Sequence, residues 1–248
     1  MLGIGIVVII TGLMVLFGKR IMLRIQDPRL FYLFVRRYGR MDRKCFPVPD
    51  SIVFIGGSVV KYWKSMETDL TPLNVLNRGM AGAKMGDIAY WVNELVLQYK
   101  PAAVVVYAGS NDLQGTRPKT PGQVLNGFET FVSAVHAVDL ETPVYYISIT
   151  PSPGKTRWKN WPVVRETNES IREYCSSKSN LHYLDTTEAF MGLDGKPNPD
   201  YFIEDGIHFN EKGYAIWTSK LKSALAVFLP GDMYGPERKP DLSPVTAR

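Results

Sequence analysis

The sequence predicts an α/β domain, a three-layer α/β/α sandwich with a five-stranded parallel sheet as its middle layer. Two observations predict it. After Pro49 the chain carries short apolar runs with no polar alternation, which mark strands covered on both faces. Between them lie segments whose apolar residues repeat every three or four positions, the pattern of helices with one buried face. Alternation of the two gives parallel strands joined by helical crossovers, with helices on both sides of the sheet.

The first strand is read at residues 52–55, Ile-Val-Phe-Ile, closed by Gly56-Gly57. A short run at 73–76 is the second. Residues 102–108, with Val104, Val105 and Val106, and residues 144–149 are the third and fourth, and 181–184 the fifth. Ile88, Trp91, Val92, Leu95 and Tyr99 form one helical stripe, and Val124, Leu125, Phe128, Phe131, Val132 and Val135 another. Val164, Ile171, Tyr174 and Cys175 form a third. Tyr214, Trp217, Leu221, Leu225 and Phe228 form the last, entered through Asn210 as N-cap.

Composition bounds the function. The chain has 248 residues, 45% hydrophobic and 21% charged, enough to bury a core and incompatible with disorder throughout. Its net charge is +5, yet nine Lys/Arg and two Asp/Glu between Lys19 and Lys44 give that stretch alone +7, leaving the rest at −2. The basic character is a local belt, so no nucleic acid is expected as a partner. Cys45 and Cys175 make neither a disulfide framework nor a zinc site, and Cys175 on its apolar stripe reads as a buried thiol.

Residues 2–17 carry no charge and reach about 24 Å as a helix, slightly less than a ~30 Å hydrocarbon core. With no basic residue before the run and no small-x-small site after it, an uncleaved membrane anchor over residues 1–18 is expected. Asp27-Pro28 then starts a helix whose Leu30, Phe31, Phe34, Val35 and Tyr38 form a stripe apart from Arg29, Arg36 and Arg37. Such a helix lies at a lipid headgroup layer or packs on the domain, and its place after the anchor favours the lipid. Residues 19–48 are thus a basic juxtamembrane segment. Membrane lipid is the expected partner, and nine basic residues after the anchor place the domain on the cytoplasmic side. The stretch before residue 45 carries no candidate catalytic group and is expected to be dispensable. Four prolines and no periodicity in residues 230–248 read as a disordered tail.

In a sheet of this kind ligands bind beyond the carboxyl ends of the strands. Four segments fall there: Gly56-Gly57-Ser58; Asn77-Arg78-Gly79-Met80-Ala81-Gly82; Gly109-Ser110-Asn111-Asp112; and Asp205-Gly206-Ile207-His208. Singly, each has a bland reading as a cap or a turn. His136 adjoins a helical stripe and His182 alternates in a strand, which leaves His208 as the histidine in a loop at the binding end. Asp205, three residues earlier, is spaced to accept its Nδ1 proton and leave Nε2 as a base. A serine hydroxyl needs such a base before it becomes a useful nucleophile.

Taken together and in order, the four segments resemble the SGNH/GDSL hydrolase family over residues 50–228, most nearly a subgroup resembling platelet-activating-factor acetylhydrolase. The resemblance implies a flavodoxin-like sheet in a hydrolase domain at 49–229 and an esterase that acts through an acyl-serine. It assigns Ser58 as nucleophile, His208 as base and Asp205 as its orienting group. The backbone N–H groups of Ser58 and Gly82 and the side-chain amide of Asn111 become the oxyanion donors. No cofactor or metal is implied. The family's Asp in Gly-Asp-Ser is Gly57 here, a departure outside the triad.

A small-molecule or lipid-like ester is the expected substrate. Tyr62 and Trp63 follow the nucleophile, and Trp158 and Trp161 lie in the loop beyond the fourth strand; of these Trp63, Trp158 and Trp161 are the candidate substrate-binding residues, with packing against the domain as the alternative. An acyltransferase would use the same residues. A non-catalytic binding protein on this fold would have lost one of them, and none is lost. Nucleotide binding lacks a phosphate-cradling glycine loop. The Gly-x-Ser-x-Gly frame of the nucleophile elbow is also absent. Oligomeric state is not legible.

Overall fold

The computed structural model describes residues 27–154 and 159–228. Five strands, β1 (Ile52–Gly56), β2 (Val75–Asn77), β3 (Ala103–Tyr107), β4 (Val144–Ile147) and β5 (Leu181–Leu184), pair in parallel in the order β2-β1-β3-β4-β5. This is the flavodoxin-like order. The helices are α1 (Tyr32–Asp42), α2 (Ser58–Tyr62), α3 (Met66–Asp69), α4 (Met85–Tyr90), α5 (Val92–Leu95), α6 (Pro121–His136), α7 (Trp161–Ser176) and α8 (Glu211–Ala224).

Successive strand residues point to opposite faces, and each face has its own core. Val53, Ile55, Val104, Val106 and Tyr146 pack under α1, α4, α5, α6 and α7. Ile52, Phe54, Val105, Tyr107 and Ile147 pack under α2, α3 and α8. The three layers follow from the central strands β1, β3 and β4, which are apolar and buried at every position. Local chemistry sets where two of the long helices begin. Thr120 and Gln123 close a capping box on α6, with Pro121 in its first turn, and the Asn210 side chain accepts from the N–H groups of Lys212 and Gly213 at the start of α8.

Three expectations need correction. The stripe from Ile88 to Tyr99 is not one helix: α4 stops at Tyr90, α5 covers four residues, and a 3₁₀ turn covers Leu97–Tyr99. The break falls at Trp91, whose indole donates to Pro28 O at 2.8 Å, a contact that apolar periodicity does not register.

The expectation of a membrane-anchored protein with a single N-terminal pass is overturned. Among the described residues no helix is long and apolar enough to cross a membrane. With it goes the assignment of the domain to a cytoplasmic side. The run at 2–17 and the tail at 230–248 lie outside the described residues.

Helix α1, expected at a lipid surface, packs on the domain instead. Val35 and Tyr38 are buried in the core under α4 and α5, and Asp42 is buried beside Arg78. Phe31 and Phe34 pack against the same core, while Leu30 at the start of the stripe stays exposed.

Candidate active site

The strand order reverses between β1 and β3, and the crevice there is where this fold binds ligands. Ser58 stands at that point as the first residue of α2, directly after β1 and Gly57. The loop after β3 carries Gly109-Ser110-Asn111-Asp112 and flanks it.

His208 reaches the serine from a loop that is braced from several sides. Phe202 and Phe209 bridge antiparallel, the Ile203 N–H donates to His208 O at 2.9 Å, and Gly154 N–H and the Ser152 hydroxyl both bond Gly206 O. Asp205 Oδ1 accepts from the backbone N–H groups of Ile207 and His208 at 2.8 and 2.9 Å. Its Oδ2 lies 2.5 Å from His208 Nδ1, and His208 Nε2 lies 2.8 Å from Ser58 Oγ. Burial works to raise the Asp205 pKa, but the hydrogen bonds from the His208 ring, the His208 N–H and the Ile207 N–H together hold it below the usual carboxylate range. An ionised carboxylate only accepts, so Nδ1 carries the proton and Nε2 is left to accept from the serine hydroxyl.

The two loops beside Ser58 are pinned to each other. Asn111 Nδ2 donates to Ala83 O at 3.0 Å, and Asp112 Oδ2 accepts from Met85 N–H at 2.9 Å. Asp112 is fully buried, and Lys119 Nζ neutralises it at 2.7 Å. Gly82 has φ +84°, a conformation that strains any L side chain, although a Cβ there would meet nothing within 4 Å. Its constraint is conformational. The Gly79 N–H is taken by Asn77 Oδ1 at 3.0 Å, whereas the Gly82 N–H has no such partner among the described residues. A Cβ on Gly57 would lie 3.2 Å from Asn111 Nδ2, so the residue that departs from Gly-Asp-Ser leaves its space to the asparagine amide.

The aromatic candidates divide. Trp63 is 1% exposed, stacks on Tyr214 at 5.2 Å between centroids and donates to Asp69 Oδ2 at 2.6 Å, so it is core and cannot touch a substrate. Helical rotation explains it. At ~100° per residue, five positions from Ser58 turn a side chain by about 140°, away from the site, while four positions return to within about 40°. Tyr62, at four and read from the sequence beside Trp63, is the one of the two that faces the site. It is 48% exposed, and its ring meets the His208 ring edge-on at 5.2 Å. The i, i+4 spacing was the signal for it. Trp161 lines a cavity of about 20 Å³ with Ser58, Tyr107, Ser110, Ile149 and Ile207. Trp158 lies outside the described residues.

The other two histidines and Cys175 are held in structural settings. His136 Nε2 bonds Thr142 O, His182 stacks on Tyr145 with its pKa lowered by burial, and burial pushes the Cys175 thiol up to about 12. Among the described residues no three His, Cys, Asp or Glu side chains are grouped to hold a metal ion.

A three-layer sandwich with a serine, an imidazole and a carboxylate in series at its switch point falls in the class of hydrolytic enzymes. The chain belongs to the GDSL-like Lipase/Acylhydrolase family, whose features residues 50–216 match. It is a hydrolase of ester substrates, and small-molecule esters are the substrates this implies. No curated protein matches the chain. Among solved structures it is similar to a protein provisionally described as a platelet activating factor from Streptococcus pneumonia, at 21% identity and TM-score 0.70, covering 86% of this chain and 99% of that one. A GDSL-like lipase from Bacteroides thetaiotaomicron is 22% identical with TM-score 0.68, over 79% of this chain and 98% of its own. The lipase/acylhydrolase from Enterococcus faecalis is 22% identical with TM-score 0.53, over 71% and 95%. Identities this low speak for the fold alone.

Proposed function

We propose that the protein cleaves carboxylic esters through an acyl-Ser58 intermediate, with His208 as general base and acid and Asp205 as its orienting group. The observation that carries the reading is the unbroken series from Asp205 Oδ2 through the imidazole to Ser58 Oγ, at 2.5 and 2.8 Å. Ser58 Oγ attacks the carbonyl carbon as its proton passes to Nε2. The carbonyl oxygen becomes an oxyanion, held by the N–H groups of Ser58 and Gly82 and by the Asn111 amide. The C–O bond to the alcohol then breaks, and Nε2 returns its proton to the leaving oxygen. Water repeats the sequence on the acyl-serine, releasing the acid and restoring Ser58.

The leaving oxygen has to meet Nε2, so the alcohol portion departs on the imidazole side, along Tyr62. The acyl portion then extends the other way, toward the cavity beneath Trp161. A fluorophosphonate probe tests the reading. It is expected to modify Ser58 of the full chain and to abolish ester turnover in step. Normal turnover by a folded Ser58→Ala chain would end the proposal.

A further inference from the structure

We infer that helix α1 is a positioning element of the active site, with the Tyr38 hydroxyl holding the loop that carries Gly82 against the helix that carries Ser58. The inference rests on the acyl-Ser58 reading and adds a residue outside the family-matched region, which begins at residue 50.

The loop leaves β2 and lies directly on α2. A Cβ on Gly79 would come within 2.4 Å of Lys61 N, so only glycine permits this approach. Asn77 spans the joint, donating from Nδ2 to Val60 O at 2.6 Å and accepting the Gly79 N–H at 3.0 Å. The partner of the Gly79 carbonyl comes from α1. The Tyr38 hydroxyl donates to Gly79 O at 2.7 Å and accepts from Lys61 Nζ at 3.0 Å. One buried hydroxyl thus bridges α2, one turn after Ser58, and the oxyanion loop, three residues before Gly82. Burial pushes the Tyr38 pKa up to about 12, so it stays a donor across the working pH range.

A second tie acts at the adjacent residue. Arg78 is 3% exposed, and its guanidinium sits between the Tyr38 and Tyr99 rings at 4.8 and 4.7 Å. Asp42, the last residue of α1, neutralises it at 2.5 Å and accepts the Tyr99 hydroxyl. A buried cation and a buried carboxylate each require the other, which fixes α1 to the loop in one register. Oxyanion donors act only when set about 2.7–3.1 Å from where the charge develops, so a loop held at Gly79 is held where small displacements cost rate.

The test uses the full chain, with active sites counted by fluorophosphonate titration. Tyr38→Phe keeps the ring and removes only the bridge. It is expected to lower kcat per titrated site between about 5- and 100-fold with KM little changed, because displacing a reacting geometry by ~1 Å costs about 10²-fold. A boronic acid that forms a tetrahedral adduct on Ser58 should lose affinity by the same factor, which a loss of stability alone would not cause. Lys61→Met, at a partly exposed position, removes the amine that orients the hydroxyl and should shift kcat in the same direction. It decides the matter if Tyr38→Phe does not fold. Unchanged kcat per site in both variants overturns the inference. Absence of turnover and of labelling in the unaltered chain would strike the acyl-Ser58 reading beneath it, a result distinct from the first.

Discussion

Ser58 Oγ and His208 Nε2 lie 2.8 Å apart, although 150 residues of chain separate them. Only the return of the chain to the β1 edge of the crevice, between β5 and α8, makes that meeting. Residues that act as one unit fail together. Ser58→Ala and His208→Ala are each expected to lower kcat by about 10⁴–10⁶, with the melting temperature retained. Measured turnover on an aryl ester decides it, and a loss under tenfold in either variant contradicts the assignment.

Asp205 should act through the imidazole. Asp205→Asn is expected to lower kcat by up to ~10⁴, since an amide no longer enforces the Nδ1–H tautomer. The same carboxylate carries a pH signature. Its pKa is held below the ordinary carboxylate value, so its contribution to stability is full above that ordinary value and is lost as pH falls through the lower folded value. Thermal melts of the parent and Asp205→Asn should therefore differ near neutrality and converge in strong acid. A gap that widened as pH fell would have the sign wrong.

Asn111 has two tasks, since its amide nitrogen carries two hydrogens. One bond goes to Ala83 O at 3.0 Å and holds the Gly82 loop, and the proposed second goes to the oxyanion. Asn111→Ala should reduce kcat by about 10²–10³, with a smaller effect on KM, because the donor works as charge develops. Steady-state kinetics on one ester separate the two constants. A change confined to KM would make Asn111 a binding residue.

The sheet was legible because strands covered on both faces need no polar alternation, so Val104, Val105 and Val106 announce themselves. The candidate site could be located in the sequence because the carboxyl ends of strands are known places to look, and Asp205 and His208 are neighbours in sequence. Relationships across the chain were not. Asp42 and Arg78 are charged, and a sequence reading sends charge to the surface; only their pairing 36 residues apart buries both. Tyr38 lay on a correctly seen stripe whose partner was misassigned, since apolar spacing does not say whether lipid or protein covers it. Trp63 drew attention by nearness to Ser58, where helical rotation decides instead.

The cavity beside Ser58 measures about 20 Å³, little more than the ~10–15 Å³ needed to hold one water molecule. Trp161, in the first turn of α7, is one of its walls. A short acyl chain fits such a space, while a long one has to displace Trp161 or stay in water. In a series of aryl esters with one leaving group, kcat/KM should be highest for acetyl or propionyl and fall as the chain lengthens. Each methylene kept out of an apolar site forgoes about 0.8 kcal/mol, close to fourfold. Trp161→Ala opens the wall and should raise kcat/KM for the longer esters relative to acetyl. If the unaltered protein prefers octanoyl esters, or Trp161→Ala leaves the ranking untouched, the acyl chain does not lie in this cavity.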